Sequence, residues 1–362
     1  MSLYRKVFPL IKLSNPTLAH HLGLIALRMP IWPKCGHFTE KHAFEWKGIK
    51  FRNRLGIAAG FDKDCVALNG LTQLGCGFIE IGTVLVTPHS GNPKPNLKRI
   101  PPKKALWNRL GFPSHGVDKV IPRLEKFQKM KQESGVVIAS NIGPHPMSMK
   151  TAKSADEFAS ITLSQLLVLV EELYDFSDLF VVNLSSPNTP GLRDLLEQGT
   201  LADRVFLPLK ERLVRLAHGG PVKPVLLKIG PDDSHEQVWT KGSLSNVIVP
   251  MLKSDACDGF VATNTSTRLA RELAQPWPTK APTSGGLSGD PLRETSLAVV
   301  HTLRGICDDH GKRPLIIGCG GIMEPEHGRQ FLEAGADLVE LYTGFIYGGP
   351  GILAKVAEGC VG

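Results

Sequence analysis

Short apolar runs recur along the chain, and most end in polar or glycine-rich residues. Eight such runs occupy residues 55–59, 78–82, 136–140, 179–182, 225–227, 259–262, 315–317 and 338–341. Runs of this length, bounded by polar residues, predict buried strands. Helix-like stretches such as 155–174, 204–217 and 292–309 separate most of them. Strands that alternate with helices predict a parallel sheet that is covered on both faces.

Eight strands over roughly 300 residues fit a (β/α)₈ TIM barrel, whose active site is built at the C-terminal ends of the strands. The alternative is an open doubly wound sheet, which binds its ligand at one switch point and does not need a polar group after every strand. The polar ends of the runs favour the barrel. The length of 362 residues is sufficient for one large barrel.

The first 40 residues have a different character from the rest. Residues 1–39 hold no acidic residue, and their basic residues are Arg5, Lys6, Lys12, Arg28 and Lys34. Asn15 and Pro16 form a good helix start, with Asn as N-cap and Pro at the first position. A shorter helix before it, over residues 2–13, would be interrupted near Pro9.

Four apolar residues of this helix, Leu18, Leu22, Ile25 and Met29, recur at helical spacing, and Pro30 ends the helix. The chain is therefore predicted to comprise an amphipathic helical unit at residues 1–40 and a catalytic barrel at residues 41–362. A basic amphipathic helix is typical of a membrane surface, and packing on the lower rim of the barrel is an equally good interpretation of the pattern.

Composition narrows the class of protein. No run of 18 apolar residues predicts a transmembrane helix, and no signal peptide is apparent. The seven cysteines are odd in number and lack a C-x-x-C pair, which favours reduced thiols over disulfides or zinc. The formal charge of +8 suits an anionic membrane surface or acidic substrates. No nucleic-acid reader motif is present, so no nucleic-acid partner is expected.

The segment 183–193, Asn-Leu-Ser-Ser-Pro-Asn-Thr-Pro-Gly-Leu-Arg, carries the most specific chemical signal. It follows an apolar run, and its prolines and glycine predict a rigid loop. Its amides and hydroxyls suit a planar substrate with carbonyl, N–H and carboxylate groups, and a serine could accept a proton. A hydroxyl-rich turn that caps the next helix is the structural alternative.

Other strand ends carry complementary chemistry. The glycine clusters 318–321 and 285–289 favour a phosphorylated ligand, because backbone N–H groups in such loops can bind a dianion. Lys63 and Lys228 follow buried strands, so either could form a Schiff base, stabilise negative charge on a reduced cofactor ring, or hold a carboxylate. Amides that can recognise a pyrimidine ring lie at Asn108, Asn141, Asn183, Asn188 and Asn264. No metal-ligand spacing is found.

These motifs resemble a known enzyme family over nearly the whole chain. The segments that carry the resemblance are 53–56, 60–63, 80–83, 91–95, 108–112, 183–193, 263–265, 285–289 and 341–347. Together they are similar to dihydroorotate dehydrogenases of the membrane-associated, quinone-dependent class.

The resemblance implies an FMN enzyme of pyrimidine biosynthesis that oxidises dihydroorotate to orotate and is reoxidised by ubiquinone or a related quinone. It implies that Ser186 is the catalytic base and that Phe112 and Thr189 gate its access to protons. Orotate would be bound by Lys63, Asn108, Arg109, Leu110, Gly111, Phe112, Asn183, Asn188, Asn264 and Thr265.

FMN would be bound by Ala59, Gly60, Phe61, Asp62, Lys63, Thr83, Asn141, Asn183, Lys228, Thr263, Gly289, Gly321, Tyr342 and Thr343. The resemblance places the quinone near His20, Arg99 and Tyr342, and implies a peripheral protein on the cytoplasmic face of a bacterial inner membrane. A soluble fumarate- or NAD-linked homologue is the near alternative, and Ser186 and the basic extension argue against it. A Schiff-base aldolase is a more remote one.

Overall fold

The structure is a computed structural model that describes residues 4, 8, 11, 14–29, 32, 34–36, 38–185, 200–273 and 285–361. Ser186, Asn188 and Thr189, which the sequence predicts to serve the reaction, lie outside these residues.

The strands of the described chain form a closed parallel barrel and two small antiparallel sheets. In chain order the strands are β1 (Phe44–Trp46), β2 (Ile49–Phe51), β3 (Leu55–Ile57), β4 (Phe78–Val84), β5 (Leu97–Ile100), β6 (Ala105–Asn108), β7 (Val137–Ile142), β8 (Leu179–Asn183), β9 (Val225–Ile229), β10 (Gly259–Ala262), β11 (Gly286–Gly289), β12 (Leu315–Cys319) and β13 (Leu338–Leu341). Barrel neighbours follow the order β3-β4-β7-β8-β9-β10-β12-β13, and β13 closes on β3. All eight predicted strands are barrel strands, so the TIM-barrel prediction is confirmed.

Among the described residues, all the helices except the N-terminal one surround the barrel. They are α1 (Pro16–Arg28), α2 (Leu68–Gln73), α3 (Val117–Ser134), α4 (Pro146–Met149), α5 (Ala155–Leu173), α6 (Leu207–Leu216), α7 (Lys241–Lys253), α8 (Thr267–Leu273), α9 (Arg293–Asp309), α10 (Pro325–Glu333), α11 (Thr343–Gly348) and α12 (Gly351–Gly359). Local sequence sets their ends: the Ser154 hydroxyl, for example, accepts a hydrogen bond from Glu157 N at the start of α5.

Alternation along each barrel strand separates two apolar layers. On β8, Leu179 and Val181 face the barrel interior, whereas Phe180 and Val182 pack under the helices. The hairpin β1–β2 covers the N-terminal end of the barrel, where Phe51 packs edge-on against Phe78 at a centroid distance of 5.9 Å. Side chains therefore fill the barrel interior at its N-terminal end, and space for a ligand remains at the C-terminal end.

A second antiparallel sheet, β5-β6-β11, lies at that C-terminal end. Its strand β6 pairs with both neighbours, and Leu97 and Leu106 line the cavity described below. The sequence patterns did not predict this sheet, because its strands have only four residues each and β11 is a glycine-rich segment.

The N-terminal helix α1 begins and ends where the sequence predicts. The Asn15 side chain accepts hydrogen bonds from Thr17 N and Leu18 N, and the helix ends at Arg28. Its inner face packs on α2 through Leu27, which is buried. The stripe of Leu18, Leu22, Ile25 and Met29 points outward with about half of each side chain exposed, at 56%, 57%, 55% and 48%. Most residues of the shorter helix predicted before it lie outside the described residues.

Among the described helices, none has the length and apolar character that a membrane crossing requires.

Close contact with Gly70 anchors α1. A Cβ atom at Gly70 would lie 2.2 Å from the carbonyl oxygen of Leu27. Gly70→Ala should therefore displace α1 and lower the free energy of unfolding by about 1–3 kcal/mol, the usual cost of overpacking. Chemical denaturation and limited proteolysis of α1 measure the two effects. Gly23→Ala is the control, because a Cβ there meets nothing within 4 Å; equal effects of the two substitutions would contradict this anchor.

Candidate active site

A cavity of about 1100 Å³, including its open mouth, occupies the C-terminal end of the barrel. Most barrel strands contribute to its wall, and β5, β6 and β11 add Leu97, Leu106 and Ser288. Of the predicted residues, the wall contains Ala59, Gly60, Lys63, Thr83, Asn108, Leu110, Gly111, Phe112, Asn183, Lys228, Thr263, Asn264, Thr265, Gly289, Gly321, Tyr342 and Thr343. Residues that are far apart in the sequence thus converge on one site.

Amides on neighbouring strands are oriented by hydrogen bonds to one another. Asn141 Nδ2 donates to Glu80 Oε1 at 2.7 Å, and Asn141 Oδ1 accepts from the Thr83 hydroxyl at 2.5 Å. Asn183 Nδ2 donates to Thr83 Oγ1 at 3.1 Å. Because a carboxylate can only accept hydrogen bonds, Glu80 requires the NH₂ group of Asn141 to face it, and the amide oxygen of Asn141 then faces Thr83. The buried Glu80 therefore sets the polarity of this side of the cavity.

The network continues across the cavity through a serine. Ser185 Oγ donates to Asn183 Oδ1 and accepts from Asn264 Nδ2, each at 3.2 Å. Asn264 Oδ1 in turn accepts from Thr265 N at 2.7 Å. Asn108 belongs to the opposite wall, where its Nδ2 donates to the carbonyl of Gly286 at 3.4 Å. Two amide-bearing walls thus face a common space.

A buried ammonium lies at the floor of the cavity. Lys228 Nζ is 2.6 Å from Glu80 Oε2 and 3.0 Å from Glu340 Oε1. Burial acts to lower the pKa of Lys228, but the charges of Glu340 and Glu80 outweigh it and raise that pKa above its ordinary value. Lys228 is therefore a fixed cation, which suits stabilisation of negative charge and does not suit a Schiff-base nucleophile, since that role requires a neutral amine.

Lys63 is the second cation in the wall. Its Nζ donates to the carbonyl of Gly60 at 2.8 Å, and burial lowers the pKa of its ammonium. The neighbouring Asp62 turns away from the cavity, where its carboxylate accepts from Val66 N and Ala67 N. Lys63 therefore presents an ammonium at the side of the cavity, and none of the described residues in the wall carries a carboxylate.

Glycines bring backbone close to the far side of the cavity. Gly289 and Gly321 have φ values of +98° and +80°, and a Cβ at Gly321 would lie 2.6 Å from Arg293 N. Gly320 and Gly344 complete this part of the wall beside the paired hydroxyls of Ser288 and Thr343, which are 2.8 Å apart. Backbone N–H groups in such a loop can bind a phosphate.

Aromatic side chains connect the cavity to the N-terminal helix. Phe61 packs edge-on against Tyr342, which lines the cavity, and against His20 on α1, at centroid distances of 5.6 and 5.4 Å. Burial, and then the charge of Lys63, lower the pKa of His20 to about 3, so this imidazole is neutral. Arg99 Nη1 donates to the carbonyl of Ser14, just before the helix.

Some predicted residues lie outside the cavity wall. Phe61, Asp62 and Asn141 lie behind it, and the backbone of Arg109 pairs with Asn96 and Asn92. His20 and Arg99 lie toward α1. Sequence reasoning missed Glu80 and Glu340, the two carboxylates beside Lys228. Each is an acidic residue inside an apolar run, 78–82 and 338–341, and this pattern could have indicated them.

A parallel barrel with amide-bearing walls, a glycine-lined side and a cation at its floor is the arrangement of an α/β-barrel enzyme with a site that suits an anionic ligand. Among the described residues, no cluster of three or more histidine, cysteine or acidic side chains could hold a metal ion.

Comparisons with known proteins identify the family. The family model "Dihydroorotate dehydrogenase" matches residues 42–361. Relatives from Delftia acidovorans and Ralstonia nicotianae, both named dihydroorotate dehydrogenase (quinone), are 39% and 38% identical over 87% and 99% of this chain and 84% and 98% of theirs. A solved dihydroorotate dehydrogenase from Eimeria tenella, in complex with ferulenol, aligns with a TM-score of 0.80 and 29% identity over 95% of this chain and 90% of that one. The chain belongs to the dihydroorotate dehydrogenase family, which confirms the family predicted from the sequence.

Removal of the floor cation should destabilise the barrel. Lys228→Ala leaves Glu80 buried without its counter-charge, so the free energy of unfolding at pH 7 should fall by about 3–5 kcal/mol. The missing cation raises the pKa of Glu80 in the folded variant above its unfolded value, so the stability deficit relative to the wild type should shrink as the pH falls from that raised folded pKa toward the unfolded value. Urea denaturation at acidic and neutral pH measures this change. Lys50→Ala, at an exposed lysine, is the control; an equal deficit at both pH values would contradict the prediction.

Proposed function

We propose that this chain oxidises dihydroorotate to orotate in pyrimidine biosynthesis, with FMN as the bound cofactor and a membrane quinone as the final electron acceptor. The observation that carries the proposal is the buried, protonated Lys228 at the floor of an amide-lined cavity. Such a floor stabilises negative charge above it. The names of the relatives support the substrate and the quinone.

The residues present fit FMN. Gly289, Gly320 and Gly321 line the cavity where a Cβ at each would collide with neighbouring protein atoms, and the backbone of these glycines suits a phosphate. Lys228 and the amides of the floor suit the polar edge of a flavin ring. When bound, FMN supplies a two-electron acceptor for the hydride of the substrate and passes electrons on to quinone.

The chain's own residues bind and orient the substrate. Asn108 on one wall and Asn183 and Asn264 on the other offer donors and acceptors to the ring and its carboxylate, and Lys63 offers a positive charge. Asn188 is assigned to the same set from the sequence. Because Glu80 and Ser185 fix the orientations of Asn183 and Asn264, little entropy is lost when the substrate binds.

Ser186 is assigned as the base that removes a proton from the substrate carbon. The described residues end at the preceding Ser185, which joins the amide network at the rim. Phe112, with a φ of +53°, lines the cavity and is assigned with Thr189 to control proton access to that serine.

The quinone site is assigned between α1 and the barrel. His20, Phe61 and Tyr342 form a continuous aromatic path from α1 to the cavity, and a neutral His20 suits an apolar quinone. The exposed stripe on α1 suits peripheral contact with an anionic membrane. This arrangement favours the quinone-dependent class over a soluble fumarate- or NAD-linked enzyme. By resemblance to that class, the protein is assigned to the cytoplasmic face of a bacterial inner membrane.

Loss of the serine base should slow the reduction of the protein by dihydroorotate. We expect Ser186→Ala to retain FMN and orotate binding, because the glycines and the amides remain, and to slow flavin bleaching by roughly 10²–10⁴-fold. Stopped-flow absorbance under anaerobic conditions measures the rate. Bleaching at the wild-type rate would remove Ser186 from this role.

Charges on the α1 stripe should separate the two half-reactions. Leu22→Glu with Ile25→Glu removes two exposed side chains, each contributing about 2 kcal/mol when buried in an apolar phase. Binding to anionic liposomes and long-chain quinone turnover should fall at least tenfold, while dye-linked oxidation of dihydroorotate persists. Val168→Glu with Val214→Glu places the same charges at exposed valines on α5 and α6 and should change neither. Equal liposome binding by both double variants would contradict the membrane role of α1.

A further inference from the structure

Two carboxyl groups share one ammonium beneath the cavity. Glu80 on β4, Lys228 on β9 and Glu340 on β13 are 1%, 5% and 0% exposed. Their side chains project from different strands into the barrel interior and meet there. Because they are shielded from water, solvent cannot stabilise a surplus charge among them. If both carboxyl groups were ionised, the cluster would carry one uncompensated negative charge.

The hydrogen bonds distinguish the two carboxyl groups. Glu80 accepts from three N–H donors: Lys228 Nζ at 2.6 Å, Asn141 Nδ2 at 2.7 Å and Ala59 N at 2.9 Å. Glu340 accepts from one N–H donor, Lys228 Nζ at 3.0 Å, and its Oε2 is buried without a partner within hydrogen-bond distance. Its other polar neighbours are the Glu80 carboxylate and the Cys319 thiol. N–H donors favour an ionised carboxylate, and an unpartnered buried oxygen disfavours one. The asymmetry therefore assigns the charge to Glu80 and the proton to Glu340.

The electrostatics of the surrounding strands agree with this assignment. Burial, and then the charge of Glu80, raise the pKa of Glu340 to about 8, although Lys228 opposes them. For Glu80, burial acts to raise the pKa, but Lys228 and the hydrogen bonds outweigh it and lower that pKa. The strands that flank β13 present Cys319 and Gly56 at the register of Glu340. Burial, and then Glu340, raise the pKa of the Cys319 thiol, which is therefore neutral.

We propose that Glu340 is a neutral carboxylic acid in the resting protein and releases its proton to solvent at alkaline pH, which changes the floor of the cavity from neutral to net negative. With Glu340 protonated, Lys228 and Glu80 cancel. After its ionisation, two carboxylates face one ammonium.

This change affects any ligand over Lys228. A net negative floor binds a negatively charged group less well than a neutral one. This consequence, unlike the proton itself, rests on the proposed function, because it requires the flavin ring to lie over Lys228. Glu340 is accordingly a positioning residue that acts through Lys228.

Infrared difference spectroscopy on the full chain tests the proton directly. The wild type should show the C=O stretch of a protonated carboxylic acid that disappears as the pH rises through about 8. Glu340→Gln keeps the side-chain shape and an acceptor for Lys228, and should lack this band. Glu125→Gln, at an exposed glutamate on α3, should retain it. A second band from Asp62, whose pKa burial raises to about 6, should remain in both variants.

The absence of a wild-type carboxylic acid band that titrates above pH 7 would overturn the proposal without reference to any variant. So would retention of that band in folded Glu340→Gln, since the proton would then belong to another group.

Stability gives a second readout. A folded pKa above the unfolded value of about 4.5 contributes stability that is complete below pH 4.5 and is lost as the pH rises through the folded pKa. The unfolding constant of the wild type relative to Glu340→Gln should therefore rise by up to about tenfold per pH unit between about pH 4.5 and 8. If the unfolding constants of the two proteins changed with pH in the same way, a proton on Glu340 would be contradicted.

The midpoint potential separates this proposal from the proposed function. In FMN-loaded protein, the potential of the wild type should fall more steeply above about pH 7 than that of Glu340→Gln, because its floor becomes negative. A titrating infrared band with equal potential slopes would support the proton on Glu340 and contradict the placement of the ring over Lys228.

Discussion

The ion cluster inside the barrel is the constraint on which the site depends. An ammonium can be buried at Lys228 only because Glu80 neutralises it at 2.6 Å, and Glu80 in turn can be buried because Asn141 and Ala59 supply the remaining donors. The same carboxylate fixes Asn141, and through it Thr83 and Asn183. The cation at the floor and the amides of the wall are therefore one hydrogen-bonded unit. Interior positions in the lower part of the barrel are apolar, as expected where no ligand is bound.

The shape of the cavity follows from the two ends of the barrel: side chains close the N-terminal end, and a small antiparallel sheet covers the C-terminal end. Phe51 and Phe78 fill the N-terminal end, so the barrel cannot hold a ligand there. At the C-terminal end, β5, β6 and β11 form a roof that contributes Leu97, Leu106 and Ser288. The glycine-lined side reaches this space because Gly289 and Gly321 lack side chains and adopt positive φ values. Leu97 and Leu106 of the roof, the polar walls and the charged floor together suit a flat ligand with one charged edge.

The sequence predicts the barrel well because its strands are apolar runs and most of them end in polar or glycine-rich residues, which is a local signal. It also predicts Lys228, Asn183 and Asn264, since polar residues directly after buried strands must converge at one edge. It does not reveal which residues pair. The bond between Glu80 and Lys228 joins residues 148 positions apart, and only the closed barrel brings them together. The roof was missed for a related reason: β11 pairs with β6 across more than 170 residues and has no apolar alternation of its own.

The N-terminal helix has one face on the barrel and one face exposed. Leu27 against Gly70 fixes the helix by backbone approach, a contact that requires glycine at that position. Its opposite face leaves Leu18, Leu22, Ile25 and Met29 half exposed, which an isolated soluble barrel would not maintain over four successive stripe positions. Between these faces, His20 touches Phe61, and Phe61 touches Tyr342 in the cavity wall. The side chains from the apolar stripe to the floor cation thus pass from apolar to aromatic to charged surroundings, which is the route that the proposed function assigns to a lipid-soluble acceptor.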